Sequence, residues 1–84
     1  MSQNPIEQIR MTMQNLICAL IDHPDKLQLN ILLGEQTTVF EVRCDMKDRG
    51  KIIGKSGMMA QSLRHILTSL AARNKVRAIL EIVD

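Results

Sequence analysis

The stretch Gly54-Lys55-Ser56-Gly57 carries residue types suited to holding a phosphodiester backbone. Two glycines without Cβ atoms let another chain approach the peptide closely. The lysine adds charge, and the serine supplies a hydroxyl that either donates to a phosphate or caps the helix that follows. Where such a loop opens a helix, the first backbone N–H groups lack intrahelical partners and point at whatever anion sits there. This chemistry is binding rather than bond-breaking, and it requires a helix on each side of the loop. The plainer reading, a tight helix-to-helix turn, uses the same glycines but leaves the flanking charge without a purpose.

Other chemistries fit less well. Gly54-Lys55-Ser56 matches the end of a nucleotide-binding P-loop, but that motif needs a glycine five residues before Gly54. Position 49 is Arg, and Gly50 is one residue out of register. A chain of 84 residues also lacks room for the parallel sheet and magnesium-binding acid of such an enzyme. Cys18, His23, Cys44 and His65 recur at no metal-ligand spacing, and no pair resembles part of a Ser-His-Asp set. No catalytic residue, metal or cofactor is therefore expected, and the chain reads as a binding module rather than an enzyme. Cys18 and Cys44 are expected to be ordinary buried thiols of a reducing compartment. His23 belongs to a turn, and His65 is expected on the solvent side of its helix.

The elements that must position the loop follow from periodicity. Asn4-Pro5-Ile6-Glu7 opens a helix with a cap, a first-turn proline and a capping-box acid. Ile6, Ile9, Met13, Leu16, Ile17 and Leu20 then recur at helical spacing, so a helix is expected over about 5–21. Leu27, Leu29 and Ile31 alternate with Gln28 and Asn30. After the turn at Gly34-Glu35, Phe40, Val42 and Cys44 alternate with Val39, Glu41 and Arg43. These two runs predict a β-hairpin over about 26–44. Asp45 is expected to cap a short helix that runs into the glycine loop. Met59, Leu63, Ile66, Leu67 and Leu70 mark the buried side of the next helix, and the helix-loop-helix unit spans about 46–73. Residues 77–83 alternate as a last strand. The order α-β-β-α-α-β places a two-helix crossover between the last two strands, which lets them run parallel in the right-handed sense. The expectation is one α+β domain over 1–84, with a three-stranded mixed sheet and all helices on one face.

Charge is segregated along the chain. From Met46 to Arg77 there are eight basic residues (Lys47, Arg49, Lys51, Lys55, Arg64, Arg73, Lys75, Arg77) and one acid, Asp48, a local net charge of +7; the remainder carries −5. Separation of this kind points to a polyanionic partner. The only aromatic residue is Phe40, which disfavours folds that bind bases by stacking on rings. Neither a membrane-spanning run nor the basic and apolar stretches of a signal peptide is seen, so a cytoplasmic location is expected.

Ile53-Gly54-Lys55-Ser56-Gly57 between two helices is similar to the signature loop of KH domains, which clamp about four nucleotides of single-stranded nucleic acid. The element order resembles the bacterial, type II, arrangement. Asp22-His23-Pro24-Asp25, Gly34-Glu35-Gln36-Thr37-Thr38-Val39 and Leu80-Glu81-Ile82-Val83-Asp84 extend the likeness to the stand-alone bacterial KH proteins of the KhpA family. The resemblance implies a low-specificity binder of single-stranded RNA, an RNA chaperone or post-transcriptional regulator. It assigns backbone contacts to Gly54, Lys55, Ser56 and Gly57, and makes Ile52 and Ile53 candidates for an apolar floor beneath the bases, with at least one of the two in the core. Lys51 and Arg64 would flank the groove, and Lys75 and Arg77 would lie on its other side, in the variable loop. Met58-Met59-Ala60 departs from the basic residue more usual after the loop. The resemblance also implies a homodimer, or pairing with a larger KH protein of the KhpB (Jag) type. Met58, Met59 and Ile66 on the rim of the second KH helix form the candidate interface.

Overall fold

Helix α1 (Pro5–Cys18) begins where its sequence places a cap: Asn4 Oδ1 accepts the Ile6 N–H at 2.9 Å, and Pro5 fills the first turn. Glu7 does not complete a capping box. Its carboxylate takes the Arg10 guanidinium instead, with Arg10 Nε at 3.0 and 3.1 Å from its two oxygens. Ile9, Met13 and Ile17 are buried along the helix, whereas Leu16 lies at the margin of the stripe and is exposed. The structure is a computed structural model and describes residues 4–83; Asp84, the end of one KhpA-like segment, lies outside it.

The helix stops at Cys18, three residues short of the expected end. The backbone N–H groups of Asp22 and His23, which would have prolonged it, donate instead to the Asp48 carboxylate at 3.1 and 2.8 Å. A short 3-10 turn at Pro24–Lys26 then leads into β1 (Gln28–Leu33) and β2 (Thr38–Arg43). These strands pair antiparallel, closed at the tip by Gly34 N–H to Thr37 O at 3.0 Å. Helix α2 covers only Arg49–Ile53. Asp45 does not cap it. The Asp45 carboxylate accepts the Lys47 N–H at 2.8 Å and its carbonyl the Asp48 N–H at 2.9 Å, so residues 45–48 form a turn.

Helix α3 (Met58–Arg73) crosses the sheet and returns the chain to β3 (Ala78–Ile82), which pairs parallel to β2. The strand order β1-β2-β3 gives the expected mixed sheet in an α+β fold. Phe40 and Val42 at the centre of the sheet have no exposed surface. They pack with Met13 and Ile17 of α1, Ile52 of α2, and Leu63 and Leu67 of α3.

The end of α3 is a Schellman motif: Val76 N–H reaches Ala71 O at 2.9 Å and Lys75 N–H reaches Ala72 O at 3.1 Å. Lys75 sits at the position that glycine normally fills, with φ 58°. A left-handed lysine costs about 1 kcal/mol. Lys75→Gly is therefore expected to raise the thermal midpoint by several degrees, measured by circular dichroism. An unchanged midpoint would mean that the turn is not strained.

Candidate nucleic-acid interface

The loop between α2 and α3 is shaped by three residues with positive φ among four: Gly54, Ser56 and Gly57. Gly54 adopts φ 79° and ψ 174°, a region essentially closed to residues with a side chain. A Cβ there would also lie 2.6 Å from Met59 Cβ and 2.7 Å from Met59 N. Gly54 is thus the point where the backbone of α2 passes against the start of α3. Gly57 differs: at φ 75° and ψ 10°, a Cβ on it would meet nothing within 4 Å. The two glycines look equivalent in sequence, but one fits the protein against itself and the other leaves a clearing outside it.

That clearing lies at the N-terminus of a 16-residue helix. No side chain caps α3 and no acid occupies its first turn, in contrast to α1 with Asn4 and Glu7. Ser56 does not use its hydroxyl as a cap. Lys55 is exposed and, among the described residues, makes no ion pair. A 3-10 turn at Lys55–Gly57 leads into the helix and takes the Gly57 N–H to Gly54 O at 3.1 Å and the Met58 N–H to Lys55 O. What favours an anion here is the positive end of the helix dipole, the lack of negative charge and the adjacent free ammonium.

The other expected site residues divide. Ile52 has no exposed surface and belongs to the core, so it forms no part of a groove floor; Ile53 is half-buried and remains available for that role. Lys51 is committed elsewhere, its ammonium 3.0 Å from Asp22 and 3.4 Å from Asp48. Arg64 reaches from α3 to the free edge of β3, with Nε 3.4 Å from Leu80 O. A shallow hollow of about 400 Å³, lined by Gln61, Arg64, His65 and Thr68, runs beside it. Lys75 and Arg77 are exposed but stand past the far end of α3, about 24 Å from the loop along the helix axis. On the expected interface, Met58 is 65 % exposed and Ile66 39 %, whereas Met59 is half-buried against the core.

Asp48 is the group whose role the sequence did not announce. Its carboxylate is fully buried, accepts the N–H groups of Asp22 and His23, and lies 3.1 Å from His23 Nδ1 and 3.4 Å from Lys51 Nζ. Burial pushes this carboxyl up, but the backbone bonds from Asp22 and His23, joined by the side chains of His23 and Lys51, outweigh it and hold the pKa at about 2. Asp48 ties the turn after α1 to the helix that carries the loop. The signal available in sequence was its isolation as the lone acid in a basic run. Cys18 and Cys44 are free and half-buried, and burial raises the Cys44 thiol. Among the described residues, no three His, Cys, Asp or Glu side chains gather to hold a metal, and no helix is long and apolar enough to cross a membrane.

The sequence model of the KhpA/KhpB KH domain matches residues 11–82, which include both helices around the loop and all three strands. The chain belongs to the KhpA/KhpB family of KH domains. Its relatives include the RNA-binding protein KhpA of Borreliella burgdorferi, 39 % identical over 69 residues that cover 82 % of this chain and 84 % of that protein. The RNA-binding protein KhpA of Aquifex aeolicus is 42 % identical over 65 residues, 77 % of this chain and 82 % of the relative. That of Clostridium acetobutylicum is 29 % identical across its whole length and 89 % of this chain. This is a family of RNA-binding KH domains rather than of enzymes. The matched residues include the Gly54–Gly57 loop, which stands at the junction of α2 and α3.

Proposed function

We propose that this KhpA-family chain binds single-stranded RNA with low sequence specificity, in the cytoplasm, as an RNA chaperone or post-transcriptional regulator. The observation that supports this most is the uncapped, acid-free start of α3, left open at Gly57 and flanked by the unpaired Lys55. A phosphate seated there meets the positive end of the α3 dipole, the Ser56 hydroxyl and the Lys55 ammonium together. Ile53 and the hollow beside Arg64 offer aliphatic and polar contact to the bases, in keeping with a chain whose single aromatic is buried in the core. Lys75 and Arg77 extend the basic track. A strand of several nucleotides is long enough to run from the loop toward them.

The test is fluorescence anisotropy of a labelled single-stranded RNA, comparing wild type with Lys55→Asp/Ser56→Asp. The expected result is loss of binding in a variant whose circular dichroism is unchanged. Unchanged binding would move the site elsewhere. If two or three phosphates are neutralised, log K falls with log salt at a slope of roughly −1.4 to −2.1 per domain. An affinity independent of salt would contradict the mechanism.

A second reading is pairing with another KH chain, either a second copy or a larger protein of the KhpB (Jag) type. It draws on the family description, which joins KhpA and KhpB, and on the exposed Met58 and Ile66 of α3. Met59, packed beneath Gly54, is withdrawn from that surface. Two linked sites would raise a weak affinity through avidity.

A further inference from the structure

Lys51 precedes Gly54 by three residues, on the face of α2 that leads into the loop. The other cation of α2, Arg49, lines a separate hollow with Cys44, Met46 and Val83. In the free protein the Lys51 ammonium is already held. Asp22 Oδ2 lies 3.0 Å from its Nζ, and Asp48 Oδ1 lies at 3.4 Å. Both carboxylates push the pKa of this lysine up, the hydrogen bond from Asp22 most.

The two acids hold it differently. Asp48 is fully buried and fixed by the backbone N–H groups of Asp22 and His23, so it stays where it is. The side chain of Asp22 is 70 % exposed and that of Lys51 44 %, which makes their contact a surface ion pair. Exposed pairs of this kind are weak, and a competing anion displaces one member readily. Nor does the fold need the Asp22 carboxylate. Position 22 is anchored by its backbone N–H, 3.1 Å from Asp48 Oδ1. Within the described residues the carboxylate makes no hydrogen bond or ion pair other than that with Lys51.

We infer that Asp22 is a built-in competitor of RNA: its carboxylate holds Lys51 in the free protein, and a phosphate of the bound strand takes its place. The competition rests on the RNA-binding reading above and adds a second phosphate contact to the one at the start of α3. One anion replaces another on the same ammonium, and Asp48 keeps that ammonium positioned while the partners change. The contact with Asp22 is given up for each strand bound, so the protein holds RNA more loosely than its lysines alone would. Asp22 stands outside the basic run, in the turn after α1, and reaches Lys51 because Asp48 draws that turn against α2. Loose retention suits an RNA chaperone, which has to release strands as well as bind them.

The test is anisotropy of a labelled single-stranded RNA from about 50 to 300 mM salt, on wild type, Asp22→Asn, Lys51→Gln and Asp22→Asn/Lys51→Gln. Asp22→Asn is expected to bind roughly fivefold more tightly, with a salt slope steeper by about 0.7, one further phosphate contact. Its circular dichroism is expected to match wild type, because the backbone anchor remains, and Asp22→Ala serves if the asparagine variant fails to fold. In the Lys51→Gln background the same change is expected to alter affinity less than about twofold. Unchanged or weaker binding by Asp22→Asn overturns the competition. So does an equal gain with and without Lys51, which would mean that Asp22 only repels RNA at long range. Lys55→Asp/Ser56→Asp, run alongside, keeps the two readings apart. Loss of binding there with no gain in Asp22→Asn removes the competition alone. Unchanged binding there moves the RNA site and removes both.

Discussion

Gly54→Ala is expected to lower the thermal midpoint by roughly 15 °C and to abolish RNA binding, while Gly57→Ala keeps the fold and loses about tenfold in affinity. The difference comes from what each Cβ meets. At Gly54 it would fall 2.7 Å from a backbone nitrogen of α3, in a conformation that already costs about 1–3 kcal/mol for any other residue. Relief requires α2 and α3 to separate, which disturbs Ile52 and Leu63 in the core beneath. At Gly57 the added methyl enters open space, and the penalty is the left-handed backbone alone, about 1 kcal/mol. Its effect on affinity arises because that open space is where the phosphate is proposed to sit. Melting curves and RNA titrations of the two variants separate these roles. Equal affinity in Gly57→Ala and wild type would show that no ligand occupies the clearing.

Asp48→Asn is expected to cost roughly 10 °C or more in thermal midpoint at neutral pH, because a buried acceptor of several donors is replaced by a group that must turn an NH₂ toward one of them. The pH dependence has a definite sign. The folded-state pKa of Asp48 is held at about 2, below its ordinary 3.8, so the folded state binds this proton less readily than the unfolded state. The stability Asp48 contributes is therefore fully present above about pH 4 and is lost as pH falls through about 2. Thermal midpoints measured between pH 2 and 5 should fall more steeply toward acid in wild type than in Asp48→Asn. Parallel curves would mean that Asp48 is not held in its charged form by these contacts.

Much of the architecture could be read from the chain because its signals are local. The alternation of Phe40, Val42 and Cys44, the stripe of Ile9, Met13 and Ile17, and the glycine loop between apolar runs each report on a few neighbouring residues. The misread details are set by distant partners. Asp48 lies 26 residues from Asp22, and their contact both shortens α1 and engages Lys51. Neither effect has a trace in local pattern. Ile52 and Ile53 sit in a five-residue helix, too short for periodicity to say which one turns inward. Leu16 and Ile66 lie at the edges of their stripes, where a small rotation of the helix decides between core and solvent. Gly54 and Gly57 share a residue type, and only the position of Met59 distinguishes them.

The parallel pairing of β2 with β3 joins Thr38 to Ala78, so the whole segment carrying the loop lies inside a forty-residue closure. The hairpin of β1 and β2 needs only the few residues around Gly34 to form. Long closures pay their entropy before any contact rewards them, and they set the pace of folding. The strained turn at Gly54, Ser56 and Gly57 is therefore expected to gain its final support late, once β3 has docked and α3 is pinned across the sheet. A nascent or partly opened molecule would keep its hairpin while lacking the loop's shape. RNA held by that loop would in turn resist the opening of the segment that closes last.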